Sequence, residues 1–401
     1  MTEHKKAISI ENLDVVFGDK PNQALTLLDE GKSRQEIIDE TGLVVGVNNV
    51  SLDVNEGEIC VLMGLSGSGK SSLLRAVNGL NAISRGALNI KDGNTSVDLA
   101  DCNEQTLRHL RTDRVSMVFQ KFALMPWLSV LDNVAFGLEM KGVPKKERRA
   151  QAREKLEMVG LAEWQDKFPH ELSGGMQQRV GLARAFTMDT DILLMDEPFS
   201  ALDPLIRAQL QDELLELQSK LNKTILFVSH DLDEALKIGT RIAIMESGEL
   251  IQHGKPEEIV LTPKTQYVRD FVAHTNPLNV LKGRSLMRPA NELVQDSERW
   301  QLCQQSNVWI EKENTKWVIS GESPLKIIDY TDKEIDIADL CKNSIVIASP
   351  DIDMRDAIEI RYHTGHPIVL IENGHLIGTL SDDNFYHALL GKYNEPSLHA
   401  A

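Results

Sequence analysis

The sequence predicts an α/β fold with a phosphate-binding loop, followed by a smaller domain, on the basis of three observations. The first is the stretch Gly64-Leu65-Ser66-Gly67-Ser68-Gly69-Lys70-Ser71, which fits the pattern of a glycine, any four residues, then Gly-Lys-Ser/Thr. The second is an apolar strand, Ile192–Met195, that delivers Asp196 and Glu197 at its carboxyl end, where ligands bind in open α/β sheets. The third is a looser composition from about residue 279, which predicts domains at 1–278 and 279–401.

The phosphate loop lies between an apolar strand, Glu58–Met63, and the first turns of a helix, Ser72–Val77. A strand, a loop and a helix in this order form the usual context of the motif, and it disfavours the alternative of a glycine-rich turn with a stray lysine. The glycines let backbone N–H groups turn inward around phosphate oxygens, and the helix N-terminus adds partial positive charge. We therefore expect Lys70 to reach the β- and γ-phosphates of a nucleotide, and Ser71 to ligate Mg²⁺.

Composition limits the other classes of function. The length of 401 residues predicts two or three domains, and the net charge of −17 argues against non-specific binding to DNA, RNA or anionic lipid as the main activity. Four widely spaced cysteines, at 60, 102, 303 and 341, predict a reducing environment rather than disulfides. The N-terminal sequence has no apolar signal-peptide core, and no run of about eighteen apolar residues occurs, so we expect that the chain does not cross a membrane by itself.

The elements before the loop are two strands with a helical insertion between them. Residues 7–17 alternate as a strand does, and Val47–Val54 reads as the next strand. Between them, residues 22–42 predict two short helices, and Ser33-Arg34-Gln35-Glu36 has the form of a capping box that opens the second.

After the loop, a strand over Val115–Phe119 ends at Gln120 and leads to the apolar loop Phe122–Leu128. An apolar loop that contains a tryptophan suggests a docking surface, and a locally buried loop is the alternative. Residues 144–168 predict a solvated helix with one apolar stripe.

Further polar residues follow predicted strands or open helices. Leu172–Arg179 places a serine and two glycines before a helix, which makes a second N-terminus that favours anions. Of the carboxylates Asp196 and Glu197, one can bind Mg²⁺ while the other polarises a water molecule. His230 follows the strand Thr224–Val228, so it can reach the same crevice.

These motifs together resemble the ATP-binding subunits of ABC transporters over roughly residues 7–275. The matching segments, in chain order, are the phosphate loop, Gln120, Leu172-Ser173-Gly174-Gly175-Met176, Ile192–Glu197, Ser200–Asp203 and His230. The resemblance implies an ABC-type ATP-binding cassette with a RecA-like core, an antiparallel β subdomain and a helical subdomain.

The same resemblance implies a role for each motif residue. Phe17 would stack on adenine, and Gln120 would sense Mg²⁺ and the attacking water. Asp196 would hold Mg²⁺ together with Ser71, Glu197 would act as general base, and His230 would contact the γ-phosphate. The remaining ATP-binding positions of the loop would be Gly64, Ser66, Gly67, Ser68, Gly69, Lys70 and Ser72.

The resemblance also implies partners. Ser173, Gly174 and Gly175 would complete the ATP site of a second copy, so hydrolysis would require a head-to-tail dimer with two ATPs between the subunits. Asp203 would also bind ATP. Closing and opening of this dimer would switch an integral membrane permease, docked at the loop Phe122–Leu128, between two states. The chain would then be a peripheral protein on the cytoplasmic face of the bacterial inner membrane.

A narrower resemblance is to the ATPase of glycine betaine, proline betaine and choline importers. It depends on the helical insertion, Met63–Lys70, Phe122–Pro126 and Ser200–Arg207, and Phe271–Val280 is similar to the choline-type members. It implies ATP-driven uptake of a methylated or quaternary amine such as glycine betaine, choline or trimethylamine N-oxide, with a separate substrate-binding protein and no nucleic acid. The alternatives are an importer of another small solute, an exporter subunit, an ABC ATPase without a transport role, and a catalytically inactive sensor.

The C-terminal part resembles a degenerate pair of cystathionine-β-synthase-type (CBS) repeats in a small α+β domain. The clearer repeat covers about residues 341–391, and related importers carry such repeats as a regulatory tail. The first repeat is expected near 295–340, where only scattered apolar pieces such as Lys316–Ile319 occur. Asn384 stands where nucleotide-binding members usually place an aspartate, so nucleotide sensing, an ionic-strength response and a structural role stay open.

Overall fold

The computed structural model describes residues 5–120, 123–200, 202–273, 280–303, 307–313, 316–321, 325–331 and 335–389. The chain divides into two compact units, one formed by residues 1–256 with 264–268 and the other by residues 257–263 with 269–401. The predicted boundary between residues 278 and 279 stays a prediction. Phe122, Ala201 and the segment 274–279 lie outside the described residues.

The first unit contains two sheets and the helices around them. Its strands are β1 (Lys6–Phe17), β2 (Val44–Asn55), β3 (Ile59–Met63), β4 (Arg85–Asp92), β5 (Thr95–Asp98), β6 (Val115–Val118), β7 (Ile192–Asp196), β8 (Thr224–Val228), β9 (Arg241–Glu246) and β10 (Glu249–Gly254). Its helices are α1 (Pro21–Asp29), α2 (Arg34–Thr41), α3 (Lys70–Val77), α4 (Glu104–Asp113), α5 (Val130–Met140), α6 (Lys145–Met158), α7 (Gly174–Thr187), α8 (Pro204–Leu221) and α9 (Leu232–Ile238). Two further helices, α10 (Pro256–Leu261) and α11 (Gln266–Val272), each include residues of both units.

The central sheet has the strand order β10-β9-β3-β8-β7-β6, with every neighbouring pair parallel except β10 and β9. The strands β3, β7 and β8 are buried along their whole length, as expected for parallel strands covered on both faces. Val228 pairs with both Leu62 and Asp196, so these strands end at the same edge of the sheet. The phosphate loop, Glu197 and His230 therefore leave the sheet at one edge.

The antiparallel sheet has the order β2-β1-β4-β5 and shares a core with the central sheet. Ile8, Leu13 and Leu52 from the antiparallel sheet belong to the same buried cluster as Leu62 and Leu226 from the central sheet. This common core holds the end of β1 in a fixed position relative to the phosphate loop.

A small helical insertion, formed by α1 and α2, connects β1 to β2. Its helices pack through Ala24, Leu25 and Ile37 against Val16 and Val45, at the ends of those strands. The predicted capping box forms, because the Ser33 side chain accepts from the Glu36 N–H and the Glu36 carboxylate accepts from the Ser33 N–H. Gly42 ends α2 in a left-handed conformation with φ of 69°.

A helical region of α5, α6 and α7 has its own buried cluster, to which Val134, Leu156 and Val180 contribute. The prediction of one helix over 144–168 was wrong, since α6 ends at Met158. Gly160, with φ of 69°, takes the left-handed conformation that ends helices, and Leu161 packs into the cluster from beyond the helix end.

The second unit also contains two sheets. Its strands are β11 (Arg288–Pro289), β12 (Gln295–Asp296), β13 (Arg299–Cys303), β14 (Val308–Glu313), β15 (Lys316–Ser320), β16 (Lys326–Asp329), β17 (Ser344–Ala348), β18 (Ile368–Glu372) and β19 (His375–Leu380). Its helices include α12 (Gly283–Leu286), α13 (Met354–Thr364) and α14 (Asp382–Leu389). One sheet has the order β11-β19-β18-β17-β16, and the other is the antiparallel sheet β12-β13-β14-β15. Over the described ranges, no helix combines the length and apolar content needed to span a bilayer.

Candidate functional site

The phosphate loop is held by glycines at positions where a side chain has no room. Gly64 has φ of 139°, and a Cβ there would lie 2.1 Å from the Met245 carbonyl oxygen. Gly69 has φ of 101°, and its Cβ would lie 2.4 Å from the carbonyl oxygen of Gly46. Both positions combine a left-handed backbone with close packing on neighbouring main chain, so glycine is required there.

Lys70 begins α3 and is buried, with a side chain that returns to its own loop. Its ammonium donates to the carbonyl oxygens of Gly64 at 2.7 Å and Leu65 at 2.9 Å. Burial lowers the pKa of Lys70, while Glu197 and Asp196 act in the opposite direction by favouring its charged form. A buried cation in a ring of backbone groups is a suitable partner for a nucleotide polyphosphate.

Ser71 and Asp196 bring together two side-chain oxygens of the type that a magnesium ion prefers. The Ser71 hydroxyl donates to Asp196 Oδ1 at 2.8 Å, and Arg75 Nη2 lies 3.2 Å from Asp196 Oδ2. Asp196 is only 1% exposed, so its charge is held in place by these contacts at the end of β7. This hard, all-oxygen pair beside a phosphate loop fits Mg²⁺, which is usually bound by one or two protein oxygens together with phosphates and water.

Glu197 lies between two other predicted site residues. Gln120 Nε2 donates to Glu197 Oε2 at 3.0 Å, and His230 Nδ1 lies 3.3 Å from the same oxygen. The backbone φ of Glu197 is 47°, a strained value for a residue with a side chain, and the Glu197 N–H donates to the Val228 carbonyl oxygen at 3.2 Å. Backbone strain of this kind clusters at functional sites, and here the strained residue is the one that contacts both Gln120 and His230.

Phe17, at the end of β1, borders the helix that follows the phosphate loop. A Cβ on Gly46 would lie 2.5 Å from the Phe17 ring and 3.1 Å from the Ser72 hydroxyl. The Phe17 ring and Ser72 therefore both pack closely against the backbone of Gly46. Phe17 is 40% exposed, which leaves part of its ring accessible for stacking.

The other predicted site residues lie at helix starts elsewhere in this unit. Ser173 caps α7, and its hydroxyl accepts from the Met176 N–H at 3.3 Å; Gly174 and Gly175 form the first turn. Asp203 caps α8 and accepts from the Ile206 N–H. The helix α7 packs in the cluster of α5 and α6, whereas the residues flanking the phosphate loop belong to the core of the two sheets.

In the described part of the apolar loop, Ala123–Leu128, the main chain is bound by a buried side chain and one large side chain is exposed. Asn133 is fully buried and binds the main chain of Met125 and Leu128. Trp127 is 71% exposed, so the alternative of a locally buried loop does not apply to this side chain. Arg184, on α7, donates to the Ala123 carbonyl oxygen at 2.6 Å.

Two residues that bind the phosphate loop were not anticipated from the sequence. Arg34, in the insertion, donates to the Gly67 carbonyl oxygen at 3.1 Å. The Tyr267 hydroxyl accepts from the Leu65 N–H at 3.2 Å and lies 3.4 Å from the Met245 carbonyl oxygen. Both contacts join parts of the chain that are distant in sequence, and no local pattern signals them.

A second group of metal-type side chains lies in the core. Ligand atoms of Glu58, Cys60 and His253 lie within 4.8 Å of one another. Cys60 is fully buried, and burial raises the pKa of its thiol, which disfavours the thiolate that binds metals. Glu58 Oε2 already accepts from the Asn55 side chain at 2.7 Å. This group therefore fits a metal ion less well than Ser71 and Asp196 do.

The chain is similar to several known proteins. A family described as ABC transporter matches residues 47–200. The chain is 50% identical to the glycine betaine/proline betaine transport system ATP-binding protein ProV of Escherichia coli over 281 residues, which are 70% of this chain and 69% of that protein. It is 41% identical to the glycine betaine/carnitine transport ATP-binding protein GbuA of Listeria monocytogenes, over 98% of this chain and 99% of that one.

Two further proteins extend the comparison. The trimethylamine N-oxide transport system ATP-binding protein TmoW of Ruegeria pomeroyi is 48% identical over 70% of this chain and 81% of its own length. A solved structure of the dimeric ATP-binding cassette MJ0796 in a post-hydrolysis state with ADP and Pi is similar with a TM-score of 0.54 and 30% identity, over 62% of this chain and 98% of that one. With a phosphate loop, a carboxylate pair and this set of relatives, the chain belongs to the ABC transporter family, in the group of ATP-binding proteins of glycine betaine transport systems.

Proposed function

We propose that this chain hydrolyses ATP to drive the import of a methylated or quaternary amine through a membrane permease. The observation that carries the chemistry is the contact of Glu197 with Gln120 and His230, at the sheet edge where the phosphate loop also begins. The amine class is supported by the relatives, whose names specify glycine betaine, proline betaine, carnitine and trimethylamine N-oxide.

In the proposed reaction, Glu197 removes a proton from the attacking water, and Gln120 orients that water together with Glu197. His230 contacts the γ-phosphate, Lys70 binds the β- and γ-phosphates, and Phe17 stacks on adenine. Ser71 and Asp196 would hold Mg²⁺, which offsets phosphate charge when it is bound. The backbone conformation of Glu197 supports this assignment, because a residue keeps such a conformation only where its surroundings hold it, here through the bond from its N–H to Val228.

The working unit is proposed to be a head-to-tail dimer in which Ser173, Gly174 and Gly175 of one copy face the ATP bound to the other, with Asp203 as a further ATP-binding residue. The relative that forms a solved ATP-binding-cassette dimer supports this assembly. The exposed Trp127 supports docking of the permease at the loop Phe122–Leu128, with a separate substrate-binding protein as a further component. The chain would lie on the cytoplasmic face of the inner membrane.

For the C-terminal unit, we propose a CBS-type repeat within a domain that covers residues 279–401. The order of β17, α13, β18 and β19 supports it, since the resembling segments follow one another in the same order. Asn384 accepts from the Ser381 N–H and donates to the Leu286 carbonyl oxygen, each at 2.8 Å. These structural bonds favour a structural or ionic-strength role over recognition of a ribose by this side chain.

The test is the substitution Glu197→Gln, which keeps the side-chain shape and removes the base. We expect ATP binding to be preserved and turnover to fall by about a hundredfold or more, as for loss of a general base. The exposed Glu163→Gln is a matched control that leaves turnover unchanged. Normal turnover of Glu197→Gln would contradict the proposed base.

Uptake identifies the solute. Labelled glycine betaine, choline and trimethylamine N-oxide are supplied to cells that lack this chain and are complemented with wild type or with Glu197→Gln. We expect one of the three uptakes to require the wild-type chain. If all three persist without the chain, the amine assignment is wrong while the ATPase assignment remains.

A further inference from the structure

The helical insertion of α1 and α2 has no role in the proposed reaction, yet it makes a direct contact with the phosphate loop. Arg34 is the first residue of α2, and its Nη1 donates to the carbonyl oxygen of Gly67 at 3.1 Å. Gly67 lies at the exposed part of the loop with φ of 80°, and a Cβ there would meet no atom within 4 Å. Little else therefore packs against this part of the loop.

Arg34 is partly buried and is not neutralised by a carboxylate within the described ranges. Its Nε is buried without a hydrogen-bond partner, and burial lowers the pKa of the guanidinium with no acidic group opposing that effect. A partly buried cation without a counter-charge carries a desolvation cost, and the hydrogen bond to the phosphate loop offsets part of it.

The insertion that carries Arg34 is fixed to the rest of the unit by ion pairs and by a buried side chain. Arg85 binds both Asp29 of α1, at 2.8 Å, and the buried Asp14 of β1, at 2.6 Å. The helix α2 is fixed by Ile37, which is fully buried, and by the capping box at Ser33. Arg34 therefore projects from a helix that is anchored at its start and in its core.

The contact constrains a turn at the tip of the phosphate loop. The peptide unit between Gly67 and Ser68 is planar and trans, so the Gly67 carbonyl and the Ser68 N–H point to opposite sides. The Ser68 N–H donates to the Leu65 carbonyl oxygen at 3.2 Å, which closes the turn. By holding the Gly67 carbonyl, Arg34 stabilises this turn and pre-organises a loop whose backbone N–H groups cradle phosphates, and pre-organisation increases affinity by lowering the cost of ordering.

We propose that Arg34 is a positioning residue for the phosphate loop, through which the helical insertion sets the affinity for ATP. This inference rests on the proposed nucleotide site. Without Arg34, the peptide between Gly67 and Ser68 rotates more freely and ATP binds more weakly, while the residues that perform hydrolysis are untouched.

The experiment measures the Kd of MgATP, KM and kcat for the full chain carrying Arg34→Ala, Arg34→Lys or Arg34→Gln. We expect Arg34→Ala to raise Kd and KM about tenfold with kcat within about twofold, the size expected for one charge-assisted hydrogen bond. Arg34→Lys keeps a charged donor and restores most of the affinity. Arg34→Gln keeps a neutral donor and gives an intermediate Kd, so it separates the hydrogen bond from the charge.

The matched control is Lys32→Ala, which removes the ion pair of Lys32 with Glu40 at 2.6 Å inside the same insertion. It should leave the Kd of MgATP unchanged, because the side-chain hydrogen bonds of Lys32 in the described structure go to Glu40 and not to the loop. An equal loss of affinity in Lys32→Ala and Arg34→Ala would overturn the inference, since the effect would then come from the stability of the insertion. Melting temperatures identify any variant that is not folded, and Arg34→Gln then replaces Arg34→Ala.

The variant Lys70→Ala distinguishes this inference from the nucleotide site itself. If Lys70→Ala weakens ATP binding and Arg34→Ala does not, the inference is wrong and the site stands. If neither variant changes the Kd of MgATP, both the site and the inference fail.

Discussion

Asp196 is a buried carboxylate whose two oxygens have separate partners. One oxygen accepts from Ser71, and the other faces Arg75. We expect Asp196→Asn to raise the Mg²⁺ concentration for half-maximal ATPase activity at least about tenfold, because an amide is a much weaker ligand for a hard cation than a carboxylate. The measurement is a Mg²⁺ titration of ATPase activity at fixed ATP.

The control for this substitution is the affinity for ATP in the presence of EDTA, which should stay close to that of the wild type. A loss of metal-free ATP binding equal to the loss of Mg²⁺ response would indicate a general disruption of the loop. An unchanged Mg²⁺ titration would remove Asp196 from the metal site.

The site was predictable from sequence where function depends on short, contiguous patterns. The phosphate loop and the pair Asp196-Glu197 each follow an apolar strand, and parallel strands bring their carboxyl ends to one edge. Arg34 was not predictable, because its partner lies 33 residues away and its own surroundings read only as the start of a capped helix. A contact between a side chain and a distant carbonyl leaves no periodic signal.

At the scale of elements, α9 is anchored to the end of β8 by a buried carboxylate. Glu234 accepts from the hydroxyl of Ser229, the residue before His230, at 2.5 Å and from the Gln211 side chain at 3.0 Å. Burial raises the pKa of Glu234, although both hydrogen bonds oppose this shift. The carboxyl group therefore binds its proton more tightly in the folded chain than in the unfolded chain.

A pH-dependent stability follows from this shift. Because the folded pKa is the higher one, the contribution of Glu234 to stability is complete below the unfolded pKa and is lost as the pH rises through the folded value. Glu234→Gln has no proton to lose. The melting temperature of the variant minus that of the wild type should therefore increase by about 2 °C as the pH rises from about 4 to 8. Thermal unfolding at both pH values, with Glu163→Gln as an exposed control, measures the difference. A difference that does not change with pH would contradict the role of burial.

Some helices and strands could be predicted from local sequence patterns, and others could not. The strand β1 and the capping box of α2 follow their sequence signals, because alternation and capping are local effects. The antiparallel sheet of β12 to β15 was seen only as scattered apolar pieces, since its strands are short and half-exposed. The buried face of this sheet is defined by contacts between strands, such as that of Trp300 with Trp317. The sequence of a single strand does not show which of its residues make these contacts.

At the scale of the whole molecule, the proposed ATP site is divided between two copies. Leu172, which precedes Ser173, packs in the helical cluster around α7, whereas Leu73, one turn after Lys70, packs in the core of the two sheets. In the proposed two-fold symmetric dimer the loop of each copy would face the serine of the other, so each of the two sites would combine the loop of one copy with the serine of its partner.

Mixing two inactive variants tests this division. We expect Lys70→Ala and Ser173→Arg each to lose ATPase activity alone, the first through its loop and the second by blocking the partner's site. In a mixed dimer, the intact loop of the Ser173→Arg copy meets the intact Ser173 of the Lys70→Ala copy, which restores one site of two. Activity in an equimolar mixture should return to at most about a quarter of the wild-type value, since random pairing makes half of the dimers mixed. Activity that stays absent, in a mixture shown to exchange subunits, would contradict the shared site and favour a site completed within one chain.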